Sequence, residues 1–293
     1  MDFRKEISSI YGNLDETVFD SELSNFSRKQ IIKNKYKLPS LFRYSDADYY
    51  NIRGLETQSL YLSENGTMND VFEGLTCSID DNVIKHLDDI KDLVYLKSFS
   101  ETNNCNLMWA HYANNYKGIC VEYDFSKLDD DALFHLFPVI YSSEKLKDVD
   151  LKYTIEEHMD LKLMNFEGNY PNETNFLKDI MPLFLIKSKD WEYEKEWRLL
   201  FTYAQINNSA DDIRDDEIED FYKIHLREIS VSDCIKAVYL GARIEKVKKK
   251  HIIEICQKLN IKVYASLPSK DKYELDFKEI DFTNKDWKKV WLD

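Results

Sequence analysis

Lys189-Asp-Trp-Glu-Tyr-Glu-Lys-Glu-Trp-Arg198 reads as the start of a strand that continues through Leu199-Leu200-Phe201. Successive residues of a strand alternate between its two faces, so Glu194, Glu196 and Arg198 fall on one side and Tyr193, Lys195 and Trp197 on the other. Two ionised carboxylates side by side repel. A strand this apolar tolerates them only where a cation, a ligand or a proton compensates. Arg198 and Lys195 on a solvated edge supply a purely structural compensation; a cleft that uses the pair is the functional alternative.

On either side of this segment the hydrophobic periodicity alternates between helix and strand. Leu14, Val18, Phe19, Leu23 and Phe26 fall near helical spacing over 15–37, and Pro39 ends that segment. Leu41–Tyr44 reads as a strand, and Ser45-Asp46 as the cap of a short helix that stops at Gly54. Gln58–Ser63 and Val94–Ser100 read as strands, Leu107–Tyr116 as a helix closed by Gly118, and Ile119–Phe125 as a strand. Helices are expected over 149–166 and 173–188, and a strand over Trp197–Tyr203. Residues 204–220 carry seven Asp or Glu against Arg214 alone, which predicts a solvated loop. Ile235–Leu240, a helix over 244–259 and Ile261–Ala265 form a strand, helix, strand module, followed by a strand over 273–280.

No repeat and no low-complexity linker breaks the chain. The fold class expected is α+β: one domain on a mixed or antiparallel sheet with helical insertions. Residues 1–39 form an N-terminal helical segment and 40–293 the catalytic-like domain, with a helical insertion at about 145–188.

Across 293 residues, 40 Lys+Arg against 54 Asp+Glu give a net charge of −14, which disfavours nucleic-acid binding outside a local basic groove. With 43% hydrophobic residues and only 7 Gly and 5 Pro, the chain is a folded one. No stretch approaches the ~20 apolar residues of a membrane span, and the N-terminus lacks a signal-peptide layout, so a cytoplasmic location without membrane contact is expected. The five cysteines are widely spaced with no Cys-x-x-Cys pair, which predicts reduced, packed thiols.

Three further segments hold residues that carry chemistry. Lys97-Ser98-Phe99-Ser100-Glu101 ends an apolar strand with two hydroxyls facing one way; a turn or cap is the plainer account of such a pair. Leu107-Met-Trp-Ala-His-Tyr-Ala-Asn-Asn-Tyr-Lys-Gly118 places Met108, His111 and Tyr112 on one side of a helix, where core packing and a hydrogen-bonded histidine are the structural reading. Phe42-Arg43-Tyr44 sets one fixed positive charge in an apolar strand, and such an arginine needs a carboxylate or a bound phosphate. No P-loop, Gly-x-Gly-x-x-Gly or His-Glu-x-x-His occurs, the histidines are too dispersed for a local metal cluster, and no metal is expected. Asp150-Leu151-Lys152 is nuclease-like only in outline and fits a helix start.

Taken in order, Arg43-Tyr44, Tyr61-Leu62-Ser63 with Asn69-Asp70, Ser98-Phe99-Ser100, Met108-Trp109-x-His111-Tyr112, Gly118 and Trp191-x-Tyr193-Glu194-x-Glu196-Trp197-Arg198 resemble a large uncharacterised bacterial family over about 40–265. Val71 stands where that family usually has Pro. More distantly, Arg43, Ser98/Ser100 and Glu194/Glu196 resemble the Arg, Ser-x-Ser and Glu-x-Glu motifs of Arg–Ser–Glu mono-ADP-ribosyltransferases, whose toxin-like members have Ser-Thr-Ser in the middle motif.

That resemblance implies an ADP-ribosyltransferase-like fold whose cleft holds NAD as substrate. Glu196 is expected to stabilise the oxocarbenium-like ribose and Glu194 to orient or deprotonate the acceptor. Arg43 is expected on the pyrophosphate and Ser98 on the ribose or on Glu196, with Ser100 and His111 in the same cleft and Tyr44 or Tyr112 stacked on nicotinamide. It further implies a protein or nucleic-acid acceptor, a role as toxin or antiphage effector, and a cognate antidote or defence-system partner. The alternatives are a non-catalytic nucleotide- or protein-binding module and a metal-dependent nuclease using Asp150 or the Glu194/Glu196 pair. Arg43, Ser98 or Ser100, and Glu196 are expected to converge on one largely apolar pocket. Trp109 and Trp197 are expected in the core, and Glu196→Gln is expected to leave folding nearly intact.

Overall fold

The five residues Leu41–Ser45 (β1) form the centre of a nine-stranded sheet, because both neighbours bury apolar side chains against them. The computed structural model describes residues 35–64, 70, 72, 94–133, 135–143, 184–202, 228–284 and 286–292. The other strands are Ser59–Tyr61 (β2), Ser63–Glu64 (β3), Val94–Ser100 (β4), Ile119–Tyr123 (β5), Leu136–Pro138 (β6), Ile140–Ser142 (β7), Ile186–Ser188 (β8), Glu196–Thr202 (β9), Glu228–Ser230 (β10), Ile235–Leu240 (β11), Lys262–Pro268 (β12) and Leu275–Glu279 (β13). In the large sheet the order is β13-β12-β11-β5-β1-β4-β9-β6, with β3 also on β4. Among the described strands of this sheet only β11 and β12 run parallel, joined by the helix Lys246–Lys258, as the strand, helix, strand pattern predicts. The fold is a mixed α+β one.

The register sorts side chains to two faces. Phe42 opposes Ser100, and Arg43 opposes Val121. Paired residues of antiparallel strands project to the same side. Leu41, Phe99, Val121, Trp197 and Leu199 therefore join Leu55, Ile252 and Ile253 in the main core, under the helices Tyr49–Thr57 (α1) and Lys246–Lys258. On the opposite face Tyr44, Cys120 and Tyr239 pack against Met108 and Trp109 of Asn106–His111 (α2).

β4 decides where a cleft forms. One of its edges pairs with β9 from Val94 to Ser100. Along its other edge β1 pairs at Ser100 and β3 at Tyr95 and Leu96, so Lys97-Ser98-Phe99 lies in the gap where β1 and β3 part.

Several boundaries differ from the sequence reading, each for a local reason. α1 is capped by Asp48, whose side chain accepts from the Asn51 N–H, and it runs through Gly54 to end where Gln58 turns left-handed (φ 54°). α2 stops at His111, because Asn114, Asn115 and Tyr116 all take positive φ (46°, 54° and 68°). Asn is among the residues that tolerate this region. Gly118 is needed behind that turn, since a Cβ there would overlap the Ser45 carbonyl oxygen. Gln58–Ser63 divides into β2 and β3, which pair in different sheets, and Ile186–Ser188 is a strand rather than the end of a helix. Of the helix expected over 15–37 only Lys35–Lys37 is described, as a 3₁₀ turn; residues 173–183 of the one expected over 173–188, the helix expected over 149–166 and the acidic loop over 204–220 lie outside the described residues. No described helix is long and apolar enough to cross a membrane. Cys105, Cys120, Cys234 and Cys256 are free thiols.

Candidate functional site

The gap beside β4 opens into a cleft of about 240 Å³ lined by Arg43, Tyr44, Ser98, Tyr112, Glu194 and Glu196 among others. As bounded by the described residues it is smaller than the ~300–1,000 Å³ of typical ligand pockets. Arg43, Ser98 and Glu196 all line it, but from two faces of the sheet. Ser98 opposes Arg198 and Ser100 opposes Glu196. Arg43 projects from the other face and reaches the cleft only where β1 and β4 separate.

The two glutamates meet differently from the period-two expectation. Lys189–Glu194 is a 3₁₀ segment, and Lys195 takes a left-handed conformation (φ 45°) before the strand begins at Glu196. Glu194 therefore reaches the site from a turn and Glu196 from a strand. Both are buried, at 2% and 3% exposure, which removes the solvated-edge account of their charge.

Their compensation comes from two buried cations. Arg198 holds Glu196 in a two-pronged contact, Nε to Oε1 at 2.7 Å and Nη2 to Oε2 at 3.1 Å, and its Nη1 donates to the Phe184 carbonyl. Lys187 Nζ sits between the carboxylates, 2.7 Å from Glu194 Oε2 and 3.2 Å from Glu196 Oε2. Lys195, by contrast, is exposed. Tyr112 Oη donates to Glu194 Oε1 at 2.5 Å. The Glu196 N–H donates to Tyr141 Oη at 2.7 Å, fixing the start of the strand.

These contacts push the two acids apart. Burial would raise the Glu196 pKa, but Arg198 and Lys187 outweigh it and hold the carboxyl down at about 2. Glu194 moves upward, through burial and the neighbouring Glu196 charge, against the opposing pull of Lys187. Tyr112 is pushed up by burial and by Glu194. Two carboxyl groups whose surroundings separate their acidities are suited to different roles, one a fixed charge and the other a group that exchanges a proton.

The remaining expected residues divide. The Ser98 hydroxyl lies close enough to Glu196 to add to its acidity, without forming a hydrogen bond of ordinary geometry. Ser100 does not line the cleft; fully buried, it donates to the Glu194 carbonyl at 2.6 Å and accepts from the Thr102 N–H, bracing the turn that carries Glu194. His111 is exposed and is not part of the lining. Tyr44 lines the cleft, but its ring packs edge-on to Trp109 at 5.2 Å and its hydroxyl is tied to the Thr102 carbonyl, which leaves Tyr112 the freer aromatic. Arg43 donates to Asn51 Oδ1 at 3.0 Å.

Lys187 and Lys97 are the two lining cations to which the sequence reading assigned no role. Lys187 lies in a stretch read as helix, and only the pairing of β7 with β8 brings it to the carboxylates. Lys97 stands inside the quoted Ser-x-Ser motif, and a charged residue within an apolar strand was the available signal.

Residues 108–199 match the family DUF2971, described as protein of unknown function. This stretch includes α2 from Met108 onward, Lys187, both glutamates and Arg198, while Arg43 and Ser98 lie before it. No curated protein and no solved structure matches the chain.

Proposed function

We propose that the cleft binds NAD and breaks its nicotinamide–ribose bond, making the chain a mono-ADP-ribosyltransferase or NAD glycohydrolase. The supporting observation is the buried carboxylate pair with opposed acidities, one member lowered to about 2 and the other raised, at the wall of a cleft that also holds Arg43 and Ser98.

The bond between ribose C1′ and the nicotinamide nitrogen breaks with its electron pair leaving on nicotinamide, and the ribose becomes oxocarbenium-like. Glu196, kept ionised and oriented by Arg198 and Lys187, faces that charge; a preorganised group of this kind needs no reorientation as charge develops. An acceptor hydroxyl or water then bonds to C1′ and gives its proton to Glu194. Its raised pKa lies nearer the working range of a general base than an ordinary glutamate's does. Tyr112, bonded to Glu194, is placed to orient that acceptor.

A second reading, a non-catalytic nucleotide-binding module, draws on one observation: Lys187 and Arg198 offset much of the Glu196 charge. The nuclease reading has a specific obstacle, since Lys187 Nζ already bridges the two carboxylates where a divalent cation would lie.

The test is to incubate the full chain with adenine-labelled NAD, a chelator and a bacterial lysate. Label on protein or nucleic acid identifies a transferase and its acceptor; free ADP-ribose identifies a glycohydrolase. NAD that binds but stays intact favours the module, and NAD that neither binds nor decays overturns the proposal. A role as toxin or antiphage effector, with an antidote or partner, follows only from the first two outcomes.

A further inference from the structure

Arg43 and Lys97 reach the cleft from the sheet face opposite the one that carries Ser98 and Glu196, and neither is ion-paired among the described residues. Arg43 and Lys97 project from the same face of neighbouring strands, and both line the cleft. Arg43 has one hydrogen bond, to neutral Asn51, and Lys97 has one, to Ser63 Oγ at 3.2 Å. Neither forms an ion pair with a described carboxylate. Asp48 offsets part of their charge at longer range, and Asp70 lines the same cleft.

This differs from Lys187 and Arg198, each of which holds a carboxylate. Half-buried cations without an ion-pair partner are costly in a folded chain. Burial and the Arg43 charge both lower the pKa of the Lys97 ammonium, so holding it charged there is an expense to the fold. An incoming anion removes that expense.

We infer that Arg43 and Lys97 form a two-cation subsite for a phosphate or diphosphate group, with Lys97 a binding residue beside the arginine. The inference deepens the NAD reading, because it gives the cleft an anion-binding subsite besides its carboxylate pair. Guanidinium supplies a planar fork of donors and ammonium a compact charge, a combination suited to adjacent phosphoryl oxygens.

Inorganic pyrophosphate tests the subsite without any need for NAD turnover. Thermal unfolding and calorimetric titration of the full chain are run with pyrophosphate, ADP-ribose and nicotinamide riboside, on the wild type and on Lys97→Met, Lys97→Gln and Lys97→Arg. Pyrophosphate and ADP-ribose are expected to raise the wild-type Tm. Lys97→Met and Lys97→Gln are expected to raise the Tm of the ligand-free chain and to weaken both anions about 10–100-fold, with Lys97→Arg close to wild type. Nicotinamide riboside, which has no phosphate, is expected to be insensitive to all three changes.

Pyrophosphate without effect on the wild type overturns the inference. So does unchanged anion affinity in Lys97→Met and Lys97→Gln, or a lower ligand-free Tm in both, which would make Lys97 structural. Pyrophosphate bound through Lys97 by a chain that leaves NAD intact upholds the subsite and removes the NAD-cleavage reading.

Discussion

Replacing Glu196 by Gln strands a buried guanidinium. Arg198 is 0% exposed, and Glu196 accepts from both its Nε and its Nη2. Removing one partner of such a pair commonly costs about 3–5 kcal/mol, because the remaining charge is left in a low-dielectric interior. Glutamine keeps one acceptor oxygen, which points to the lower end. The depressed acidity gives a second figure: a fall from 4.5 to about 2 converts at ~1.4 kcal/mol per pH unit to about 3 kcal/mol. The expectation that Glu196→Gln folds nearly intact is therefore replaced by a loss of about 3 kcal/mol at pH 7. A lowered pKa stabilises the fold above the unfolded value near 4.5, and that contribution fades as pH falls toward 2. Urea unfolding from pH 7 down to pH 3 should show the gap between wild type and Glu196→Gln narrowing with acid. Adding Arg198→Met to Glu196→Gln should recover part of the loss, since a buried pair replaced as a unit is close to neutral. A loss under about 1 kcal/mol at pH 7, or one that does not change with pH, refutes the assignment of Glu196 as the counter-ion of Arg198. Activity of this variant has to be normalised to its folded fraction.

Glu194→Gln is expected to suppress transfer to an acceptor while slow NAD hydrolysis survives, read as the ratio of labelled acceptor to free ADP-ribose; equal loss of both contradicts the split of roles. Tyr112→Phe removes a hydrogen bond that favours the Glu194 carboxylate, so the acid limb of the pH–rate profile should move to higher pH, and an unmoved limb excludes Glu194 as the titrating base. Trp109→Ala and Trp197→Ala should each lose about 3–5 kcal/mol in denaturant unfolding, since both indoles are 0% exposed, and a Trp109→Ala protein with normal Tm but no activity would assign α2 to the site. Gly118→Ala should lower Tm markedly, because its Cβ meets the Ser45 backbone rather than a flexible side chain, and an unchanged Tm would contradict that close approach.

Local pattern carried the strands and little of their arrangement. Val94–Ser100, Ile235–Leu240 and the helix and parallel strand that follow were legible because an apolar period and strand length are properties of consecutive residues. Glu194, Glu196, Arg43 and Ser98 were legible as charged or hydroxyl groups at the ends or interiors of apolar runs, where their residue types stand out. What the sequence could not fix was which cation meets which anion. Lys195 adjoins both glutamates and yet is exposed, because a positive φ turns it away from them. Lys187, seven and nine residues distant, bridges them because β8 lies along β7. The sequence also led to one pocket for Arg43, Ser98 or Ser100, and Glu196, but not to the faces they come from: the Phe42–Ser100 register sends Arg43 and Lys97 to the other face, and the parting of β1 from β4 lets both faces meet in one cleft. Periodicity reports which side of its own strand a residue occupies; register, backbone handedness and the separation of strands are set by contacts between distant segments, and these alone determined the charge layout of the site.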